Sequence, residues 1–238
     1  MKQTTKILIF VALLSAAGLL PAQIQNLSNF DKNRLHYGIS MGYMQSKFTV
    51  RYTDDDAIRE NIQGVRSYYI PGFHLSIIGD LRINEFLNLR LIPGISFLDR
   101  NLSYALSEDY LATSHLLDKE RMVESVYGDL PLELKMRAVR WRNFRPYVIG
   151  GIRYGFDFAS LKNNKNENDK SIIRLASSDF SYTTGVGFDF YFPYFKFAIE
   201  LKMSFGLNEL KIPDDTYYTQ SIESIKSRTF TLSITVEG

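Results

Sequence analysis

The chain contains no cysteine. Disulfide frameworks, thiolate metal sites and cysteine nucleophiles are therefore excluded. Histidine is nearly absent too. Three scattered residues, His36, His74 and His115, do not make a metal site. Charge of either sign is not in excess: 28 basic against 26 acidic residues give a formal net charge of +2. That balance leaves no electrostatic footprint for nucleic acid. Beyond residue 22 no run approaches the ~18 apolar residues a membrane-spanning helix needs. What is plentiful is Phe (17), Tyr (15) and Gly (15), a mixture that favours strands and tight turns.

The first residues, MKQTTKILIFVALLSAAGLLPAQ, place Lys2 and Lys6 before an apolar run from Ile7 to Leu20, then small residues. This is the layout of a secretory signal peptide over residues 1–22. Cleavage after Ala22 is expected, with Ala17 and Gly18 as alternative sites, and residues 23–238 form the exported domain. No cysteine is available for a lipid anchor.

Within that domain the dominant signal is period two. In RPYVIGGIRYGFDF (145–158), Val148, Ile152, Tyr154 and Phe156 alternate with Tyr147, Gly151, Arg153, Gly155 and Asp157. Successive side chains of a strand point to opposite faces, so one face is apolar and the other mixes glycine with charge. The same alternation marks 35–43, 67–79, 87–97, 130–138, 180–192, 195–207 and 229–237, eight strands in all. It is weakest in 67–79, where Ile70 and Ile78 fall on the wrong side, and is interrupted at Ile92 and Pro93. Short connections near 80–86, 139–145 and 192–195 alternate with long polar ones near 54–66, 99–122, 159–179 and 208–226. That asymmetry is the layout of an outer-membrane barrel.

Volume and charge settle which face points outward. Eight strands enclose space only for their own interior side chains, and the large apolar groups of 180–192 and 195–207 would overfill it. The polar face carries Arg90, Glu133, Lys135, Arg153, Asp157, Asp189, Glu200 and Lys202, expected to form a charge network in the lumen. On the opposite face Ile152, Phe188, Leu201 and Leu232 are expected to meet lipid, where Arg or Lys near the midplane would cost roughly 2–4 kcal/mol. The fold expected is an all-β, eight-stranded antiparallel transmembrane barrel with a filled lumen and both termini in the periplasm. A soluble sandwich hiding its apolar faces between two sheets would also alternate.

The segment DLPLELKMRAVRWRNFRPYVIGGIRYGFDFAS (129–160) resembles the PorT family, outer-membrane barrels of type IX secretion in Bacteroidota. The resemblance is carried by Pro131, Leu132, Lys135, Arg145-Pro146-Tyr147, Gly150-Gly151, Asp157 and Ala159-Ser160. FHLSIIGDLRINEFLNLRLIPGISF (73–97) looks like the second hairpin of that family. The resemblance implies a role in moving cargo such as secreted proteinases across the outer membrane, with other components of that system as partners. It brings no catalytic residues with it. Because eight strands leave no lumen for a polypeptide, an accessory or assembly role is expected, not the conduit. The alternative is a general outer-membrane barrel serving envelope integrity or adhesion.

Enzymatic chemistry has a weak foothold. Ser114-His115 with Glu108, Asp109 and Asp118 has the residue types of a nucleophile, base and orienter, but polar loops produce such neighbours by chance. The acidic runs 54–56 and 213–215 read as solvated charge before they read as cation sites. His74 alternates onto the lumen face and suits a hydrogen-bond network; His36, near the end of the first strand, reads as solvated. Trp141, Phe144 and Tyr194 in short turns suit the membrane interface, as do Tyr104, Tyr217 and Tyr218 at the opposite rim. The chain is thus expected to be no enzyme, to need no cofactor or metal, and to engage outer-membrane lipid, with no nucleic-acid or small-molecule partner.

Overall fold

The computed structural model describes residues 25–52, 62–106, 120–158, 176–212 and 222–238. Among these residues ten strands follow one another: β1 (Leu35–Tyr52), β2 (Ile62–Arg66), β3 (Ile70–Arg82), β4 (Leu87–Leu91), β5 (Gly94–Leu106), β6 (Glu120–Arg137), β7 (Phe144–Asp157), β8 (Ser178–Tyr191), β9 (Lys196–Gly206) and β10 (Ile222–Glu237). All described pairings are antiparallel. β1 pairs with β10 on one side and with β3 on the other, so the sheet closes on itself as a ring of eight staves. A single closed ring excludes two stacked sheets, and the sandwich alternative falls with it.

Ten strands make eight staves because two staves are divided. β4 and β5 are halves of one stave, parted at Ile92 and Pro93. Proline has no N–H to give its neighbour, so the bond from the Ile77 N–H to the Pro93 carbonyl, at 2.9 Å, is unreciprocated. Register is nevertheless kept across the break: Gly79 faces Leu91 and Ser76 faces Gly94. β2 prolongs the β3 stave and pairs with β5.

Three tight connections and both described chain ends lie at one end of the barrel. The Asn84 side chain accepts from the Phe86 and Leu87 N–H groups, both at 2.8 Å. Trp141 and Phe144 exchange backbone bonds at 2.9 and 3.0 Å around Arg142, whose φ is 57°. The Phe192 N–H reaches the Phe195 carbonyl across Pro193-Tyr194.

The strands run further than the alternation predicts. β1 continues from 43 to 52, β5 reaches 106, β6 starts at 120 and β10 at 222, so strand occupies parts of the expected long loops. The reason is an inversion of phase. Low on β1 the outer wall is Leu35, Tyr37, Ile39, Met41 and Tyr43, all exposed, over an inner face of His36 and Ser40. Higher up the outer wall becomes Gln45, Lys47, Thr49 and Arg51, while Met44 and Phe48 are buried inside. β5 and β10 do the same: Leu98, Leu102, Ile222 and Ile225 are buried, with Asp99, Asn101, Lys226 and Arg228 outside. A sheet that leaves an apolar medium for water must exchange its faces in this way, and a search for apolar-out alternation stops at the boundary.

Candidate functional site

The lumen is packed with paired charge. Arg90 is fully buried and donates to Glu200 at 2.5 Å, with Glu237, Glu133 and Asp80 at 3.8, 3.9 and 3.9 Å. Lys202 bridges Glu133 and Glu200 at 3.1 and 3.2 Å. The Tyr147 hydroxyl donates at 2.7 Å to the Glu200 oxygen that accepts from Arg90. Lys135 pairs with Asp189 at 2.8 Å and sits 3.7 Å from the centre of the Tyr147 ring. Lys196 and Glu237 pair at 2.6 Å. A buried ion costs several kcal/mol unless its partners replace water, and here the charged partners come from six different staves.

Of the eight charges named from sequence, Arg90, Glu133, Glu200 and Lys202 meet in one cluster, and Lys135 with Asp189 forms a second. Arg153 turns away from Glu200: it pairs with Asp129 at 2.6 Å and Asp179 at 3.8 Å, nearer the long-loop end. Asp157 is buried in the same region. His74 bridges Ser76 and Ser233 at 3.3 and 3.1 Å. Sequence reasoning left out Asp80, Asp129, Asp179, Lys196 and Glu237. Each lies on the lumen phase of its strand: Lys196 and Glu237 fall inside the alternating stretches 195–207 and 229–237, and Asp80, Asp129 and Asp179 are one residue beyond theirs.

One expectation is overturned. His36 is not solvated but buried, stacked on Phe30 with ring centres 3.9 Å apart and planes 9° from parallel. The cause is the segment 26–33, which folds into the barrel mouth through a short 3-10 turn, Phe30–Lys32. Its Asp31 carboxylate accepts from Arg137, Arg140 and Arg145 at 3.2, 3.2 and 3.1 Å. Asn26 is tied to Asn143 at 2.8 Å and to the Tyr191 carbonyl at 3.0 Å, and Arg140 lies 3.5 Å above the Tyr191 ring. Burial raises the Asp31 pKa, but the Arg145 charge, the Arg140 hydrogen bond and the Arg137 charge together hold it below its ordinary 3.8. The segment shows no periodicity, so the alternation did not mark it.

The other end is closed by grease. Val65, Leu98, Leu102, Ile222 and Ile225 are buried there, and Arg100 lies between Phe48 and Tyr127, 5.0 and 4.9 Å from their ring centres. Between the two seals a cavity of about 40 Å³ remains, lined by His74, Asp129, Glu133, Arg153 and Lys202 among others. A water needs about 10–15 Å³ of such space, so there is room for a few waters and none for a chain.

Among the described residues no group of three His, Cys, Asp or Glu is placed to hold a metal ion. Ser114, His115, Glu108, Asp109, Asp118, the acidic runs 54–56 and 213–215, Tyr217 and Tyr218 lie outside the described residues, as does the Tyr104 side chain. Trp141 and Tyr194 project from the tight turns, 74% and 89% exposed. Residues 1–22 also fall outside the described part.

No curated protein matches the chain. Among solved structures it is similar to the outer membrane protein OprG from Pseudomonas aeruginosa, at 12% identity over 91% of this chain and 99% of that one, TM-score 0.42. It is also similar to Ail, the attachment invasion locus protein of Yersinia pestis (17% identity, 87% and 100% covered, TM-score 0.36), and to the outer membrane protease OmpT from Escherichia coli (12%, 86% and 96%, 0.32). Residues 22–211 match the family described as outer membrane protein beta-barrel domain, and a match of that extent, on a closed antiparallel ring, makes this chain a member of it.

Proposed function

We propose that this barrel is an accessory component of a type IX protein-export machine, needed for release of cargo such as secreted proteinases but not itself the conduit. The likeness of residues 129–160 to the PorT family names the system. The sealed lumen supports the accessory role: plugged by Phe30 and Asp31 at one mouth, cross-linked by ion pairs in the middle, and closed by a small apolar core at the other. Among the described residues, the lumen cavity of about 40 Å³ has no room for a polypeptide. Work on cargo then falls to other secretion components, which this barrel would hold or help assemble at its rims or wall.

In this reading both termini and the tight turns face the periplasm. Ile152, Phe188, Leu201 and Leu232 face lipid, supported by exposures of 44%, 41%, 40% and 40% on the outer wall. Deleting the gene in the host bacterium tests the role. Cargo proteinases should accumulate in the periplasm, and extracellular activity should return when the gene is restored. Normal secretion in the deletion strain would instead favour a general envelope barrel, a reading to which the rigid, ion-paired lumen is equally suited.

A further inference from the structure

The exchange of faces along β1 and β10 marks where the apolar belt ends, and four cations lie on the outer wall at that line. Lys47 on β1 stands directly opposite Arg228 on β10, Thr49 faces Lys226, and Arg51 follows Thr49 on the same face. Like charges facing each other across an antiparallel pair destabilise it. None of the four makes an ion pair among the described residues. Lys47 instead rests 4.5 Å from the centre of the Tyr69 ring and Arg228 5.1 Å from that of Phe205, which hold the two charges in place without neutralising them. The Arg228 Nε is inaccessible to solvent and has no hydrogen-bond partner. Two carboxylates lie nearby, Glu209 and Glu223, both exposed. Glu209 is engaged by the backbone N–H groups of Ile225 and Lys211, at 2.6 and 3.2 Å.

Below the cations, past the Gln45–Phe230 pair, Tyr43, Met41, Leu232 and Ile234 form a continuous exposed apolar surface on the same two strands. An anion that fits here carries its negative charge at the edge of hydrocarbon and its apolar body along the wall. We propose that Lys47, Arg51, Lys226 and Arg228 form a binding site for the phosphorylated headgroup of an outer-leaflet lipid, whose acyl chains run down the β1–β10 wall. The phosphate is the charge that the Lys47–Arg228 juxtaposition lacks. The leaflet rests on the orientation given under Proposed function; the phosphate chemistry does not.

The test uses the full barrel folded in detergent micelles, with bound lipid counted by native mass spectrometry. Bisphosphorylated lipid A should bind more tightly than the same lipid with its phosphates removed, and Lys47→Gln with Arg228→Gln should weaken it about thirtyfold, as each basic residue at a membrane surface is worth about 1 kcal/mol. Arg66→Gln, exposed but off this seam, should leave binding unchanged. Because the double variant relieves a like-charge pair, it should unfold at no lower urea concentration than the parent, which separates lost binding from lost folding. Equal binding of phosphorylated and dephosphorylated lipid, or of parent and double variant, would overturn the site. Full competition by equimolar inorganic phosphate would overturn the assignment to lipid. Maleimide labelling of Thr49→Cys in intact cells reads sidedness alone: labelling supports the outer leaflet, and protection overturns that part whatever the micelle result.

Discussion

Tyr147 lies across Gly187 so closely that a Cβ on the glycine would stand 2.4 Å from the phenol ring. The two residues face each other on β7 and β8. The absence of a side chain lets the ring lie flat, and that posture carries its hydroxyl to Glu200 at 2.7 Å and its face to Lys135. Here glycine serves close approach, not a turn. Gly187→Ala should push the ring away and cost about 1–3 kcal/mol, the usual range for overpacking. In a Tyr147→Leu background the same change should cost less, because the two positions are coupled. Additive urea midpoints in the four-variant cycle would show that the contact does not matter.

Glu200 accepts hydrogen bonds from Arg90 and Tyr147 and lies 3.2 Å from the Lys202 ammonium. Among the described residues, removing its charge takes from buried Arg90 its only carboxylate within 3.5 Å and leaves Lys202 with Glu133 alone; breaking a buried pair costs roughly 3–5 kcal/mol. Glu200→Gln should therefore lower the urea midpoint strongly. Replacing Arg90 and Glu200 together by Met should recover part of the loss, since an apolar pair of similar volume does not leave Arg90 uncompensated. A double variant no better than Glu200→Gln would show that Arg90 is not the main liability.

The plug should respond to acid. The Asp31 carboxyl has its pKa held below the ordinary 3.8 by three arginines. Its stabilisation, roughly 1–2 kcal/mol for charge-assisted bonds at a partly wet site, is fully present above 3.8 and is lost as pH falls through the depressed value. A nitroxide on Ser28→Cys, exposed on the same segment, should gain mobility only below pH 3.8. With Asp31→Asn it should be mobile at neutral pH. Spectra unchanged by acid and by Asp31→Asn would remove the clamp from the account.

Ile152 is on the outer wall at mid-strand, opposite Leu132 and Tyr182. Ile152→Arg should cost roughly 2–4 kcal/mol of folding into vesicles. The same change should matter far less in a short-chain detergent, where the guanidinium reaches water. Equal folding of the variant and parent in vesicles would contradict the outward assignment.

The stretches that sequence reading recovered are those that one medium dictates. From Phe195 to Leu207 every outward position is apolar because each meets the same surroundings, so the strand can be read residue by residue. Residues 44–52 escaped because the medium changes beside them, and Phe48 inside with Lys47 outside reverses the sign of the pattern. The lumen charges were visible as a set but not as pairs. Arg90 and Glu200 are 110 residues apart, and their meeting depends on the stagger with which the ring closes. His36 was misread because its cover, Phe30, comes from a segment with no alternation to mark it.

The most direct test exploits the cysteine-free sequence. Nitroxides placed singly at Ile152→Cys, Phe188→Cys, Leu201→Cys and Leu232→Cys in bilayer-reconstituted barrel report collisions with oxygen, which concentrates in hydrocarbon, and with a water-soluble nickel chelate. All four should favour oxygen strongly, while Arg142→Cys in the tight turn should favour the chelate. Chelate access at the four wall positions equal to that at Arg142 would mean that water, not lipid, surrounds this barrel.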